Sequence, residues 1–505
     1  SRVIGLLREM VIAYAGGAGG QVDAYQVAFI IPEILNHILA SGFLSVTFIP
    51  IFSKYLVQDK EDEGWEVFSI ILTIFGGLLL ILILLAFVFT PQLVMIFAPG
   101  LKDKDPEIIA SAISMTRIIM PAQFFFFTGG LLMAVQFAKE KFSIPALAPL
   151  LYNLGIIAGG IFLSRHLGME GFSWGVLAGA FAGNFAVQVY GAKQVGMKFR
   201  FCFNFHHPDL KKYILLSLPL MVGLTMTFST EFFLKFFGSY LPQGSIASLN
   251  YGMRIMFILV GFLGQAVGVA SFPFMARLAA EGKMDEMNNL LNNTMKYLSL
   301  VIPFSVLFMV LRHELVLMLF QRGRFDAAAT QMTANVLLYL MVGTMAFAAQ
   351  TVVVRGYYAA QDTLFPAVFG TAGVIFSLPV YWYGMKIMGI RGLALAISIS
   401  AIIQVLILYG LWNRRTKNIG TGDVYVFYFK IIGLSLIIGM LLEWFKQTAM
   451  KSINTFSFSG SLIISIITGI VFTILLMSGG YLLKIKEVDE IIRRLKNKVT
   501  GMILR

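Results

Sequence analysis

Charged side chains within long apolar stretches are the first sign of chemistry in this sequence. The opening stretch contains Arg2, Gly5, Arg8 and Glu9. An ionisable side chain at membrane depth costs at least about 2.5–3.5 kcal/mol, so it needs a partner or a function. Guanidinium groups donate paired hydrogen bonds to phosphate oxygens and keep their charge near neutral pH. Two interpretations stay open: a basic site lining a cavity, and an Arg–Glu pair that only reaches the membrane surface.

Another arginine, Arg254, precedes a long uncharged stretch. On an ideal helix it forms one stripe with Gly261, Gln265 and Gly268. Small residues allow close packing of helices, which explains the glycines but not the arginine. We therefore expect Arg254 to line a cavity and to face the arginines of the first stretch. Three converging guanidinium groups would suit a diphosphate.

A second group of polar residues could carry protons or ions. Glu33, His37 and Ser41 follow each other at intervals of four, and Asp23 precedes them on the same predicted helix. A Glu and a His one turn apart can form a proton relay or part of an ion site. The alternative is a structural hydrogen bond between helices. We include Gln265 in this possible polar or proton site.

Other charged residues indicate structural roles. Glu231 and Lys235 have the spacing of an ion pair within one helix. Arg117 and Arg355 occupy corresponding helices of an internal repeat and are expected to anchor them. Cys202 is the only cysteine, which excludes disulfides within the chain and multi-cysteine metal sites. No phosphate-binding loop and no nucleophile–base group stands out. We expect no enzyme activity, no cofactor and no metal.

The elements that carry these residues are predicted to be membrane helices. Of 505 residues, 58% are hydrophobic and 13% are charged, whereas soluble chains carry about 25% charged residues. Apolar runs of about 20 residues can each cross a bilayer. The expected fold is all-α and polytopic, with about fourteen helices near 1–15, 22–52, 66–97, 107–138, 144–164, 170–192, 212–239, 244–277, 286–320, 327–360, 364–386, 390–413, 424–445 and 457–481.

The connections indicate the orientation of the chain. Alternate connections and the tail hold more than twice as many Lys and Arg residues as the connections on the other side, so both termini are expected in the cytoplasm. We attribute the net charge of +13 to contact with anionic lipid, and we expect no nucleic-acid partner.

Three short motifs recur at offsets of 221 to 223 residues, which indicates a parallel repeat. One of them reads Ala138-Lys139-Glu140-Lys141-Phe142 and returns as Ala360-Gln361-Asp362-Thr363-Leu364. The repeat predicts two pseudo-symmetric six-helix lobes, at 1–195 and 196–416. Two further helices follow at 417–482. The tail 483–505 is predicted to be an amphipathic helix on the cytoplasmic surface.

Several motifs resemble those of the MurJ (MviN) family of lipid II flippases. Ser1-Arg2-Val3-Ile4-Gly5-Leu6-Leu7-Arg8-Glu9 is similar to the S-R-x-x-G-x-x-R-[DE] opening of that family. The stretches around Asp23-Ala24, Phe142-Ser143-Ile144-Pro145-Ala146 and Asp362-Thr363 with Pro366 resemble further family segments. The resemblance implies the exporter fold of the multidrug/oligosaccharidyl-lipid/polysaccharide superfamily, with the two lobes in a V.

The same resemblance implies transport of lipid II across the bacterial inner membrane, with family arginines mapping onto Arg2, Arg8 and Arg254. The last two helices would hold the lipid tail, and the protein is expected to act as a monomer. This chain departs from many relatives at Asn36-His37, where they carry two arginines, and it lacks the carboxylates through which some relatives bind sodium. Alternatives are a flippase for another undecaprenyl-linked glycan, a scaffold without transport, and, with less support, a cation antiporter.

Overall fold

The computed structural model of the protein describes residues 2–39, 47–451, 453 and 455–483. These residues form helices and no β-strand, which confirms the predicted all-α class. They divide into two compact units. The first unit comprises Ser1–Ser248 with Arg322–Ala329, and the second comprises Leu249–Gln321 with Thr330–Arg505. The predicted tail helix and Ser41 lie outside the described residues.

The first unit is a bundle of short and long helices. Its helices are α1 (Arg2–Gly16), α2 (Gly20–Val27), α3 (Ile30–Leu39), α4 (Ile49–Val57), α5 (Glu61–Val88), α6 (Thr90–Phe97), α7 (Pro106–Ile119), α8 (Ala122–Ala138), α9 (Ala148–Ala158), α10 (Ser164–Leu167), α11 (Glu170–Gly179), α12 (Val187–Gln194) and α13 (Pro208–Gly238). π-Helical turns join α9 to α10 at Gly159–Leu163 and α11 to α12 at Ala180–Ala186.

The second unit begins within α14 (Ser245–Leu259). It continues through α15 (Ala266–Ala280), α16 (Met284–Leu298), α17 (Val301–Val310), α18 (Arg312–Phe320), α19 (Ala327–Met341), α20 (Thr344–Ala359), α21 (Leu364–Thr416), α22 (Thr421–Ala449) and α23 (Phe458–Leu482). Residues 322–329, at the start of α19, pack with the first unit. A π-helical turn at Val260–Gln265 joins α14 to α15.

Membrane-length helices dominate both units. Nine helical stretches among the described residues are long and apolar enough to cross a membrane, and five of them consist of two consecutive helices, such as α7 and α8. The bent pair α19–α20 adds a tenth. Helix α21 contains two of the predicted spans, because Gly389 (φ 58°) interrupts its 53 residues. The other predicted spans correspond to α1, to α2 through α4, and to α13. The helices are therefore consistent with fourteen spans, a number that stays a prediction.

Two spans predicted as single helices are interrupted, so their predicted continuity is wrong. The segment 66–97 breaks before Pro91. The segment 107–138 has an irregular turn next to Pro121, between α7 and α8, but it remains one helix of span length. The segment 22–52 is interrupted at Ala28 and Phe29, shortly before Pro32. Proline lacks the N–H group that an inner helical turn requires, and it is tolerated in the first turn of the helix that follows. Hydropathy measures apolar length and does not register these breaks.

Backbone conformation supports the predicted internal repeat. Residues with positive φ recur in four pairs, and the members of each pair are 221 to 223 positions apart. The pairs are Asp59 and Gly282, Glu140 and Gln361, Gly168 and Gly389, and Gly196 and Lys417. Few non-glycine residues adopt positive φ, so a shared offset across four pairs is hard to obtain by chance. The two halves of the chain therefore follow the same backbone plan.

Candidate functional site

The first-helix arginine Arg8 is held in place by two side chains. Its Nη2 donates to Glu9 Oε1 at 2.5 Å, and its Nη1 donates to Asn153 Oδ1 on α9 at 3.1 Å. Glu9 is almost completely buried, and only 19% of the Arg8 side chain is exposed. The Nε of Arg8 is buried and has no hydrogen-bond partner among the described residues. The guanidinium group therefore retains capacity to donate to a ligand.

Local structure explains why Asn153 points its oxygen at Arg8. Helix α9 has Pro149 in its first turn, and the Asn153 amide nitrogen donates to the Pro149 carbonyl at 2.7 Å. This bond occupies the donor end of the amide, so the acceptor end is left for the guanidinium. Asn153 was not predicted as a site residue. Its signal was its position one turn after a helix-starting proline.

Open space adjoins the first helix at Gly5. A side-chain carbon built at Gly5 would meet no atom within 4 Å. Close helix packing therefore does not require this glycine, and its predicted cavity-lining role stays a prediction. The backbone of Arg2 belongs to α1, while its side chain lies outside the described residues. Its predicted role stays a prediction.

Arg254 and Gln265 belong to a helix that is interrupted by a π-helical turn. Arg254 lies in α14 and is partly buried, and Gln265 ends the π turn and is exposed. Gly264 approaches Ala348 of α20, and Gly268 approaches Arg355 on the same helix. A π turn adds a residue to the helix and rotates the positions that follow it. The predicted single stripe is therefore wrong, because it assumed an uninterrupted helix.

Arg355 is a candidate that the sequence placed among helix anchors. Its Nη1 lies 3.0 Å from the side-chain position that Gly268 leaves empty. This Nη1 is buried and has no hydrogen-bond partner within the described part of the chain. A larger residue at position 268 would occupy the space of the guanidinium, so Gly268 makes room for the charge. Arg355 thus resembles Arg8, because each has a buried guanidinium nitrogen without a hydrogen-bond partner among the described residues.

The predicted relay residues make structural contacts. Lys235 of α13 donates to the Glu33 carboxylate on α3 at 2.8 Å. The predicted partner of Lys235 was Glu231, and that assignment is corrected: the ion pair joins two helices that are far apart in sequence. His37 Nδ1 lies 2.7 Å from the backbone oxygen of Glu33. A proton relay through Glu33, His37 and Ser41 stays a prediction.

The carboxylate of Asp23 caps the start of α14. It accepts hydrogen bonds from the backbone N–H of Gly244 at 2.6 Å and of Ala247 at 2.8 Å. Asp23 is buried, and the first N–H groups of a helix have no partner within the helix. A negative charge there also interacts favourably with the helix dipole. The contact indicates a capping role for this residue, which the sequence had placed in a polar or proton site.

Charges of opposite sign are paired at the outer helices of the second unit. Lys446 of α22 donates to the Glu314 carboxylate at 2.8 Å and to the Val310 carbonyl at 2.9 Å. Helices α22 and α23 share an apolar core with α17, which includes Ile438, Phe472 and Leu476. Among the residues that the structure describes, no three His, Cys, Asp or Glu side chains are placed to hold a metal ion.

Comparison with solved structures defines the class of protein. An inward-facing multidrug resistance MATE family transporter of the MOP superfamily aligns with a TM-score of 0.68 and 16% identity, covering 83% of this chain and 95% of that one. A structure described as lipid II flippase MurJ, inward closed conformation, aligns with a TM-score of 0.77 and 23% identity, covering 95% and 97%. These likenesses establish the fold: the chain is a polytopic helical membrane protein with the same fold as these two structures.

Sequence relatives then identify the family. The pattern of the family described as Lipid II flippase MurJ matches residues 12–478. The lipid II flippase MurJ of Burkholderia cenocepacia is 28% identical over 464 residues, covering 90% of this chain and 89% of that protein. The probable lipid II flippase MurJ of Thermotoga maritima is 28% identical over 496 residues, covering 98% and 96%. The chain belongs to the MurJ family of lipid II flippases.

Proposed function

We propose that this chain moves lipid II between the leaflets of the bacterial inner membrane by alternating access. The diphosphate of lipid II would bind Arg8, with Arg2 and Arg254 as further hydrogen-bond donors. The observation that carries the proposal is the buried Arg8 guanidinium, which Glu9 and Asn153 orient while its Nε stays without a partner among the described residues. Membership of a flippase family supports transport as the activity.

Arginine suits this role because the substrate head carries a charged diphosphate. A guanidinium can form two parallel hydrogen bonds to phosphate oxygens, and a lysine ammonium offers only a point charge. The Glu9 carboxylate offsets part of the Arg8 charge while no substrate is bound, and Asn153 holds the guanidinium plane. Binding would then add donor contacts without reorganising the helix.

A cluster of contacts in the first unit would have to break during the transport cycle. Besides the Asp23 cap, Ser239 Oγ accepts from the backbone N–H of Gly100 at 3.0 Å, and Lys104 donates to the Leu241 carbonyl. These contacts join α2 and the turn before α7 to the connection between α13 and α14. The charge distribution predicts that this end faces outward. Release of the head on that side would require the contacts to separate.

The proposed topology puts both termini in the cytoplasm. The lobes at 1–195 and 196–416, the two final helices, and a monomeric state complete the proposal. With Cys202 replaced by serine, a cysteine at position 455 should react with an impermeant reagent from outside the cell. A cysteine at position 204 should react only after permeabilisation. The reverse pattern would overturn the orientation.

The activity is tested by reconstitution. Purified protein in liposomes is supplied with lipid II, and a head-group probe that cannot cross the membrane measures its movement between leaflets. Parallel vesicles carry another undecaprenyl-linked glycan. Movement of lipid II alone supports the proposal. Equal movement of both lipids would show a broader glycolipid flippase, and movement of neither would favour a scaffold.

A further inference from the structure

The connection between α12 and α13 carries a regular row of phenylalanines. Residues 197–204 have no helical or turn structure, and the sequence places an aromatic ring at every second position from 199 to 205. Successive side chains of an extended backbone point to opposite sides. Phe199, Phe201 and Phe203 therefore share one side of the connection, and Phe205 follows them at the first residue of the turn before α13. We call these four residues the phenylalanine row.

The phenylalanine row is directed away from the protein. Phe201 is 82% exposed, Phe203 67% and Phe205 64%, while Phe199 is 36% exposed and packs edge-on against the Phe201 ring at 5.0 Å. Single exposed apolar residues are ordinary, but adjoining ones mark an interaction surface. Four phenylalanines in a row on a connection of this length would be costly in water.

The backbone of the connection is hydrogen-bonded to α5. The backbone N–H of Arg200 donates to Ser69 Oγ at 3.1 Å, and that of Cys202 donates to Thr73 Oγ1 at 3.4 Å. Lys198 pairs with Asp62 near the start of the same helix. The connection thus runs along α5 in one fixed direction, and side-chain hydroxyls satisfy its inward N–H groups. Such pairing is needed where little water reaches the backbone.

The contacts on α5 place the phenylalanine row at the edge of the apolar part of that helix. Helix α5 begins with Glu61, Asp62 and Glu63, and it carries no charge after Glu66. From Asp62 to Thr73 the helix rises about 16 Å. The connection therefore leaves the charged end of α5 and passes alongside the first turns of its membrane span. This is the depth at which head groups meet lipid chains.

We propose that the phenylalanine row inserts into the interface of the bilayer and anchors this connection to lipid. Segments that lie in the interface combine phenylalanine and other apolar residues on one face with Lys and Arg on the other. The connection and its ends carry Lys193, Lys198, Arg200, Lys211 and Lys212, which match the anionic head groups of the cytoplasmic leaflet predicted on this side. The partner is the lipid surface itself. The anchor holds the segment that joins the two halves of the repeat at a constant depth.

The unique cysteine provides a matched test. Cys202 lies on the side of the connection opposite to the phenylalanine row, so a spin label there serves as the control. A label at position 201 is obtained in the variant that combines Cys202→Ser with Phe201→Cys. Both full-length proteins are reconstituted in vesicles of phosphatidylcholine and phosphatidylglycerol. Collision rates are measured with oxygen, which dissolves in lipid, and with a water-soluble nickel complex.

The label at position 201 should collide several-fold more often with oxygen than with the nickel complex. The label at position 202 should collide with oxygen less often than the label at position 201, because Cys202 is only partly exposed and its backbone is bonded to Thr73 of α5. A label at 201 that meets the nickel complex as freely as an exposed surface label would overturn the proposal and leave the row as a docking site for a soluble protein. Because Phe201 packs against no helix, unfolding is not expected, and unchanged helical content confirms this.

Discussion

Arg8 and Lys446 are both cations buried in helical bundles, yet their surroundings differ. Lys446 has a carboxylate and a backbone carbonyl as acceptors, each within 3 Å, in the pair with Glu314. Arg8 has Glu9 and Asn153 as acceptors but keeps a buried Nε without a partner among the described residues. Burial alone therefore does not indicate a binding site. Unused donor capacity beside a neutralising carboxylate is the distinguishing feature.

The largest effect is expected at the arginines. Arg8→Ala and Arg254→Ala should each abolish transport while leaving expression and folding near normal, because a charge-assisted bidentate contact is lost. Arg8→Lys should recover only part of the activity. Its transport should stay at least about tenfold below that of the wild type, which corresponds to a loss of about 1.4 kcal/mol of binding free energy. Complementation of a depleted strain measures the transport activity of these variants, and an immunoblot measures their expression.

If the Arg8→Lys variant were fully active, only the positive charge of Arg8 would matter, and the argument from its bidentate hydrogen bonds would be wrong. If the Arg8→Ala variant transported normally, the assignment of Arg8 to the substrate site would be wrong.

The opposite pattern is expected at the paired cation. Glu314→Ala leaves Lys446 without its carboxylate and should lower stability by about 2–3 kcal/mol, less than for a fully buried pair because 18% of the Lys446 side chain is exposed. Transport per folded molecule should be unchanged. Thermal unfolding in detergent measures the first effect, and vesicle assays at matched protein amounts measure the second.

Glu443→Gln is the matched control, because Glu443 lies 4.0 Å from Arg312 and is more exposed. It should unfold like the wild type. If Glu314→Ala abolished transport at normal stability, the distinction between the two cations would fail.

A smaller effect is expected at the helix cap. Asp23→Asn keeps the shape of the side chain but removes its charge and one of its two acceptor oxygens. The start of α14 should then be destabilised by about 1 kcal/mol. Asp105→Asn is the control, since Asp105 caps α7 through Glu107 N–H at an exposed position. Hydrogen exchange at residues 244–247 should increase only in Asp23→Asn, and equal protection in both variants would argue against the cap.

Deletion of residues 487–505 is expected to lower the abundance or stability of the protein without changing transport per molecule. These residues lie outside the described ranges, and the prediction depends on the amphipathic pattern of Ile491, Leu495 and Val499 among basic residues. The truncated protein should be less abundant or less stable, and it should transport normally per molecule. A fully abundant but inactive truncation would show that the tail takes part in transport.

The sequence predicted the membrane helices and the repeat well because both depend on local patterns. Apolar length identifies a span, and a turn that needs positive φ recurs wherever the motif recurs. Contacts between distant residues were less accessible. Lys235 has Glu231 at helical spacing, yet its partner is Glu33, 202 positions away. Helical periodicity identifies neighbours on one helix and carries no information about which helix packs alongside.

The candidate site was predictable in its charges and not in its geometry. Arg8 and Glu9 are conspicuous because charge is rare in apolar stretches. The contribution of Asn153 depends on how α1 packs against α9, which no spacing reveals. The π turn at Val260–Gln265 likewise changes which residues share a face with Arg254, and no residue type in the sequence predicts this turn. The anchoring role of Arg355 stays a prediction, and the space that Gly268 leaves for its guanidinium group is a second feature that the sequence does not reveal.

Affinity for the lipid diphosphate tests the central claim most directly. Binding of lipid II and of undecaprenyl monophosphate is measured for the wild type, Arg8→Ala and Glu314→Ala in nanodiscs. We predict that the wild type and Glu314→Ala prefer the diphosphate lipid by at least about tenfold, and that Arg8→Ala loses this preference. An Arg8→Ala protein that discriminates between the two lipids as the wild type does would contradict the assignment of Arg8 to the diphosphate.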